Sequence, residues 1–108
     1  MVTKLNIEDI FVSAEKHHKQ NNFLEAKKLY ESVLEIEPDH LKSIFRLGSL
    51  FAQINNFDRA KYFLNKAIKI EPNYSKAHNN LGIVFNSLKE YQKAKDCYER
   101  SIKINPKN

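Results

Sequence analysis

Residues 26–38 read A-K-K-L-Y-E-S-V-L-E-I-E-P, and this stretch returns twice. Residues 60–72 read A-K-Y-F-L-N-K-A-I-K-I-E-P, and residues 94–106 read A-K-D-C-Y-E-R-S-I-K-I-N-P. Ala26, Ala60 and Ala94 stand 34 residues apart, as do Pro38, Pro72 and Pro106. Self-similarity at a fixed period of this length marks an array of stacked supersecondary units. Three such units take up nearly all of the 108 residues and leave almost nothing for a catalytic domain or linker.

Working outward from the repeated stretch, each copy forms the main part of a helix. Phe23, Ala26, Leu29, Tyr30, Val33 and Leu34 share one face over 23–36. Phe57, Ala60, Phe63, Leu64, Ala67 and Ile68 do the same over 57–70, and a third helix is expected over 91–104. Each proline ends its helix, because it has no amide proton and forces the preceding residue towards an extended backbone. Upstream of each copy lies a break: Asn21-Asn22, Asn55-Asn56 and Lys89-Glu90. Asn tolerates the left-handed backbone of a helix C-cap, and Lys does so less well. Before each break, apolar residues at helical spacing predict first helices over 7–20, 41–54 and 75–88. Residues 1–5 read as a short lead-in, Asn6 as an N-cap with Asp9 three residues on, and Asp39 or His40 as the opening of the third helix. Six helices joined by short turns give three antiparallel hairpins, each too small to bury its own apolar face.

Composition agrees. The chain is 42% apolar and 29% charged, with two glycines and three prolines, which argues against an all-β or disordered chain. The single Cys97 excludes an intrachain disulfide and fits a reducing compartment. Neither a secretory leader nor an apolar run near the ~20 residues of a membrane span is present, so a cytoplasmic protein is expected. A net charge of +5 could mean an anionic partner, but it reads more readily as lysines on solvated helix faces.

These residues resemble the tetratricopeptide repeat (TPR) family, over 7–108. The second unit carries the family pattern as Ile44, Leu47-Gly48, Phe51, Phe57, Ala60, Leu64, Ala67 and Pro72. The third carries it as His78, Leu81-Gly82, Phe85, Tyr91, Ala94, Tyr98, Ser101 and Pro106. The first is looser: Ile10, Ser13-Ala14, His17, Phe23, Ala26, Tyr30, Val33 and Pro38. The resemblance implies an all-α, right-handed superhelical solenoid, a single domain with repeats at approximately 7–40, 41–74 and 75–108. The packing logic stands without the name. Ala14, Gly48 and Gly82 are small where two helices must approach, and a helical Gly costs about 1 kcal/mol against Ala.

Candidate chemistry is sparse. Cys97 aligns with Leu29 and Phe63 and reads as a small hydrophobe. His17 aligns with Phe51 and Phe85, His78 with Ile10 and Ile44, and no histidine pair has i, i+4 spacing, so no metal site is read. Gly-rich phosphate loops and nucleophile elbows are absent, which points to no cofactor and no enzymatic activity.

What the family resemblance implies is a concave groove lined by the first helix of each repeat. Its residues here are Glu8, Phe11, Val12, Glu15, His18 and Lys19, then Lys42, Phe45, Arg46, Ser49, Ala52 and Gln53. Lys76, Asn79, Asn80, Ile83, Asn86 and Ser87 complete it. Phe11, Phe45 and Ile83 are expected as exposed apolar residues among basic and amide groups, suited to an extended or helical peptide with an acidic or carboxylate group. Chaperone-binding members of the family grip a C-terminal carboxylate through positions that match Phe11, Glu15, Arg46, Lys76 and Asn80. Only Lys76 agrees, so that mode is disfavoured. The groove-asparagine ladder of arrays attached to sugar-transferring enzymes is met only at Asn80, not at Val12 or Arg46. A non-catalytic protein-interaction scaffold is therefore expected. The alternatives are self-association through an uncapped C-terminal end bearing Tyr98, Ile102 and Ile104, or a segment of a larger protein such as a glycosyltransferase. Nucleic acid is disfavoured, because many lysines fall on second helices with acids nearby.

Overall fold

The computed structural model describes residues 4–107. Six helices follow in order: α1 (Lys4–Lys19), α2 (Phe23–Ile36), α3 (Leu41–Gln53), α4 (Phe57–Ile70), α5 (Ser75–Ser87) and α6 (Tyr91–Ile104). No strand occurs among the described residues. Each odd helix pairs with the even helix after it, and α2 packs on α3 and α4 on α5 to stack the hairpins. The result is an α-solenoid of three helix hairpins, as read from the sequence, with extents of 47 × 25 × 22 Å.

The turns explain the boundaries. Asn21, Asn55 and Lys89 all sit at left-handed φ, of 60°, 63° and 63°. At each, the next amide returns to the carbonyl five residues back: Asn22 to His17 at 2.9 Å, Asn56 to Phe51 at 2.8 Å and Glu90 to Phe85 at 2.9 Å. The left-handed residue itself donates three residues back, to His18, Ala52 and Asn86. This double closure satisfies the last carbonyls of the helix. It holds Lys89 in the same conformation as the two asparagines. His40 caps α3 by accepting the Ser43 amide at Nδ1 (3.2 Å), the opening expected at that position.

One boundary is corrected. The helix α1 begins at Lys4, so Asn6 lies inside it and is not an N-cap; no helix breaker precedes Ile7 to stop the helix earlier. Residues 1–3 of the expected lead-in lie outside the described residues.

The core runs the length of the array. Ala14, Ala26, Tyr30, Val33, Ile44, Leu47, Leu50, Leu64, Ala67 and Val84 are fully buried. A Cβ added to Gly48 would lie 2.8 Å from Leu64 Cγ, and one on Gly82 would lie 2.7 Å from Tyr98 Cε1. The small residues are therefore demanded by helix approach inside each hairpin. The two ends of the array differ. In α1 the register occupied by Ser43, Leu47 and Leu50 in α3 carries Asp9, Ser13 and Lys16. In α6, Ile102 is 53% exposed and Tyr98 half-buried, whereas Leu64, one repeat earlier than Tyr98, is fully buried.

Candidate functional site

Side chains from α1, α3 and α5 meet along one face of the array. Two cross-repeat rungs organise it. Arg46 on α3 forms an ion pair with Glu15 on α1 (Nη2 to Oε2, 3.2 Å). One repeat on, Asn80 Nδ2 donates to Ser49 Oγ at 2.7 Å. Glu15 and Ser49 share a register, as do Arg46 and Asn80, so both rungs occupy the same place in the repeat. The Ser49 hydroxyl donates its own hydrogen bond to the Phe45 carbonyl (3.2 Å), which fixes it as the acceptor from Asn80.

Between the rungs and the core lie aromatic plugs. The Phe11 ring sits 5.2 Å from that of His40, and the Phe45 ring 5.0 Å from that of Tyr74. His40 and Tyr74 are the cap residues of the following first helices. Phe11 and Phe45 are consequently only 5% exposed. The expectation of exposed groove aromatics is thus corrected at both positions: this register faces the opening of the next hairpin, not solvent. Ile83 alone of the three is open, at 46%.

Two clefts flank Arg46. One, of about 460 Å³, is lined by Phe45, Arg46, Ser49, Lys76, Asn79 and Asn80. The other, of about 240 Å³, is lined by Glu15, His18, Tyr30, Arg46 and Gln53, with Lys19 and Asn21. Lys42 is exposed one helical turn before Arg46 and lines neither. Glu8, Asn86 and Ser87 are exposed, and Val12 is 61% exposed.

His18 links the first two repeats in a way the repeat pattern does not reveal. Its Nε2 bonds the Gln53 amide oxygen, which can only accept, so Nε2 carries the proton. In the neutral ring, Nδ1 then accepts from the Tyr30 hydroxyl at 3.0 Å. Burial pushes the Tyr30 phenol up to about 12; Arg46 opposes the rise and Glu15 adds to it. Burial likewise raises Tyr74, against the opposing charge of Arg46. The sequence did carry a signal for this network. Tyr30 places a hydroxyl where Leu64 stands in the next repeat, and a buried hydroxyl needs a partner.

The remaining candidates resolve as packing. Burial, with the charge of Asp96, raises the Cys97 thiol, which keeps it from acting as a ready thiolate. His78 is buried and donates Nε2–H to the Pro72 carbonyl at 2.9 Å, and His17 Nδ1 accepts from Asn22 at 3.0 Å. Among the described residues, no three of His, Cys, Asp and Glu converge as metal ligands would.

Two sequence profiles described as tetratricopeptide repeat match, one over residues 17–79 and one over 75–108. The chain belongs to the tetratricopeptide repeat family. Solved structures share the TPR fold. MamA is 25% identical with a TM-score of 0.87, covering 94% of this chain and 59% of its own. The first TPR of Spaghetti (RPAP3), bound to an HSP90 peptide, is 23% identical with a TM-score of 0.91, covering 99% of this chain and 85% of its own. An O-GlcNAc transferase from Thermobaculum terrenum is 22% identical with a TM-score of 0.91, covering 98% and 21%. This TPR chain spans about three-fifths of the length of MamA. No curated protein is similar enough in sequence to count as a relative. No helix among the described residues is long and apolar enough to cross a membrane.

Proposed function

We propose that the chain is a non-catalytic protein-interaction module, a single TPR domain whose α1–α3–α5 face binds an extended or helical peptide with an acidic or carboxylate group. The observation that carries this reading is the 460 Å³ cleft, in which Arg46, Lys76, Asn79 and Asn80 converge on one volume. Lysine and amide donors in such a cleft suit a carboxylate, and Ile83 offers an apolar contact beside it. The Spaghetti array holds a peptide, which supports the class of partner. Glu15 sits where a chaperone-tail site needs a hydrogen-bond donor to the ligand carboxylate and is committed to Arg46, so the ligand chemistry differs from that mode.

The test is a peptide-array screen followed by fluorescence polarisation on the strongest binders, repeated with Lys42→Glu, Arg46→Glu and Lys76→Glu. Loss of binding is expected, at least about tenfold for the triple variant. A peptide indifferent to all three changes refutes the assignment. Exposure of Ile102 favours a second reading, self-association through α6. Light scattering that finds only monomer at high concentration removes it.

A further inference from the structure

A second surface lies on the second helices, away from the groove. An open cleft of about 630 Å³ is lined by Asp39, Tyr62, Asn65, Lys66, Lys69 and Ile70. Another, of about 510 Å³, is lined by Asn73, Arg100, Lys103 and Ile104. The two are one site repeated. Asn73, Arg100, Lys103 and Ile104 follow Asp39, Lys66, Lys69 and Ile70 by 34 residues each. The first repeat does not carry it: Ser32, Glu35 and Ile36 stand at the equivalent positions.

The cations here differ from the other lysines of these helices, Lys28 on α2 excepted. Lys27, Lys61, Lys93 and Lys95 each pair with an acid three or four residues away on the same helix or its cap. Among the described residues, Lys66, Lys69, Arg100 and Lys103 have no ion pair. Nearby acids are engaged otherwise. Glu71 accepts the Asn73 amide at 3.2 Å, Asp96 accepts from Gln92 at 3.0 Å and Glu99 pairs with Lys95 at 3.7 Å. Beside the free cations, Tyr62 is 61% and Ile70 40% exposed.

We infer that this edge is a second docking surface, for an acidic, amphipathic protein segment that seats an aliphatic side chain in each cleft and carboxylates on the flanking cations. Charge complementarity sets the sign of the partner, and the aliphatic residue in each cleft, Ile70 exposed and Ile104 half-buried, sets its amphipathic character. Single-stranded nucleic acid needs stacked aromatics, and Tyr62 is the one ring in either lining. A bilayer meets a protruding face, whereas these are concavities. Asp39 opposes a carboxylate in the first cleft, where Asn73 does not in the second.

The test uses a labelled synthetic peptide of alternating Glu and Leu, read by fluorescence polarisation at about 0.15 M ionic strength, where diffuse surface attraction is screened. Polyglutamate of equal length, a single-stranded oligonucleotide and anionic vesicles serve as comparison probes. Reversing Lys66, Lys69, Arg100 and Lys103 to Glu is expected to weaken peptide binding at least about tenfold. Ile70→Ser with Ile104→Ser is expected to weaken it severalfold, and Asp39→Asn to strengthen it. Because an acidic peptide also suits the groove, the edge variants are compared in a Lys42→Glu, Lys76→Glu background, in which the binding that remains reports this surface and separates it from the groove. Circular dichroism on each variant checks that the helices persist. The inference is overturned if the wild-type chain does not bind the peptide. It is equally overturned if the groove variant abolishes binding while the edge variant does not, or if any comparison probe binds as tightly.

Discussion

Replacing Gly48 and Gly82 by alanine, one at a time, tests the packing logic of the repeat, because the two look alike in sequence and differ in surroundings. Alanine gains about 1 kcal/mol over glycine in a helix interior. The opposing cost comes from what the new methyl meets. At Gly48 it lies 2.8 Å from Leu64 Cγ, 2.9 Å from Cδ2 and 3.2 Å from the Leu64 backbone nitrogen. Leu64 is fully buried in the middle of the array, so neither side chain nor helix has room to withdraw. Overpacking of this kind costs about 1–3 kcal/mol, which leaves a net loss of about 1 kcal/mol. At Gly82 the three nearest atoms to the methyl all belong to the Tyr98 ring, at 2.7 to 3.1 Å. Tyr98 is half-buried on the terminal helix and has room to move, and the first repeat already combines Ala14 and Tyr30 at these two registers. There cost and gain nearly cancel, within about 0.5 kcal/mol. Urea denaturation followed by circular dichroism measures both, and for Gly48→Ala a melting temperature lower by about 5 °C is expected. A Gly48→Ala protein as stable as Gly82→Ala refutes the claim that Leu64 is held and Tyr98 is not.

Removing the cap and plug at the second hairpin by His40→Ala is expected to cost about 1–2 kcal/mol, seen in the same denaturation experiment. Glu15→Gln releases Arg46 from its part-exposed ion pair, so carboxylate peptides should bind the groove more tightly while stability moves by less than about 1 kcal/mol. The Tyr30 phenol, at about 12 when folded against an ordinary 10.0, keeps its proton longer in the native state. Its contribution is present below pH ~10 and lost as pH rises towards ~12, so stability should fall through that window. Tyr30→Phe should flatten that part of the curve.

Element positions were legible because each boundary has a local chemical cause. Three prolines, two Asn-Asn pairs and a 3.6-residue apolar period placed five of the six helices within one residue at either end. The start of α1 was missed, since Asn6 offered a cap where no backbone constraint required one. The groove was less legible. A 34-residue period tells which residues are equivalent, not which ones touch. Successive first helices meet at another interval, 31 residues for Ser49 and Asn80 and the same for Glu15 and Arg46. Without that offset, Glu15 and Arg46 read as separate groove residues instead of one ion pair. Phe11 and Phe45 were placed in the open for the same reason, their partners being the cap residues of the following hairpin.

The unequal ends of the array give its fluctuations a direction. Stability in stacked repeats is shared between neighbours, so a hairpin with a neighbour on one side only detaches most readily. Both terminal hairpins meet that condition, but α1 turns a polar side outward and loses little by standing last, while α6 leaves Ile102 facing water. Transient opening should therefore begin at α6 and take α5 with it, because the Gly82–Tyr98 contact and the Ser75–Ser101 hydroxyl pair at 2.9 Å bind those two helices into one unit. Amide hydrogens of α5 and α6 would then exchange with deuterium together and ahead of those in α3 and α4. The array would behave as a zipper whose slider sits at one end.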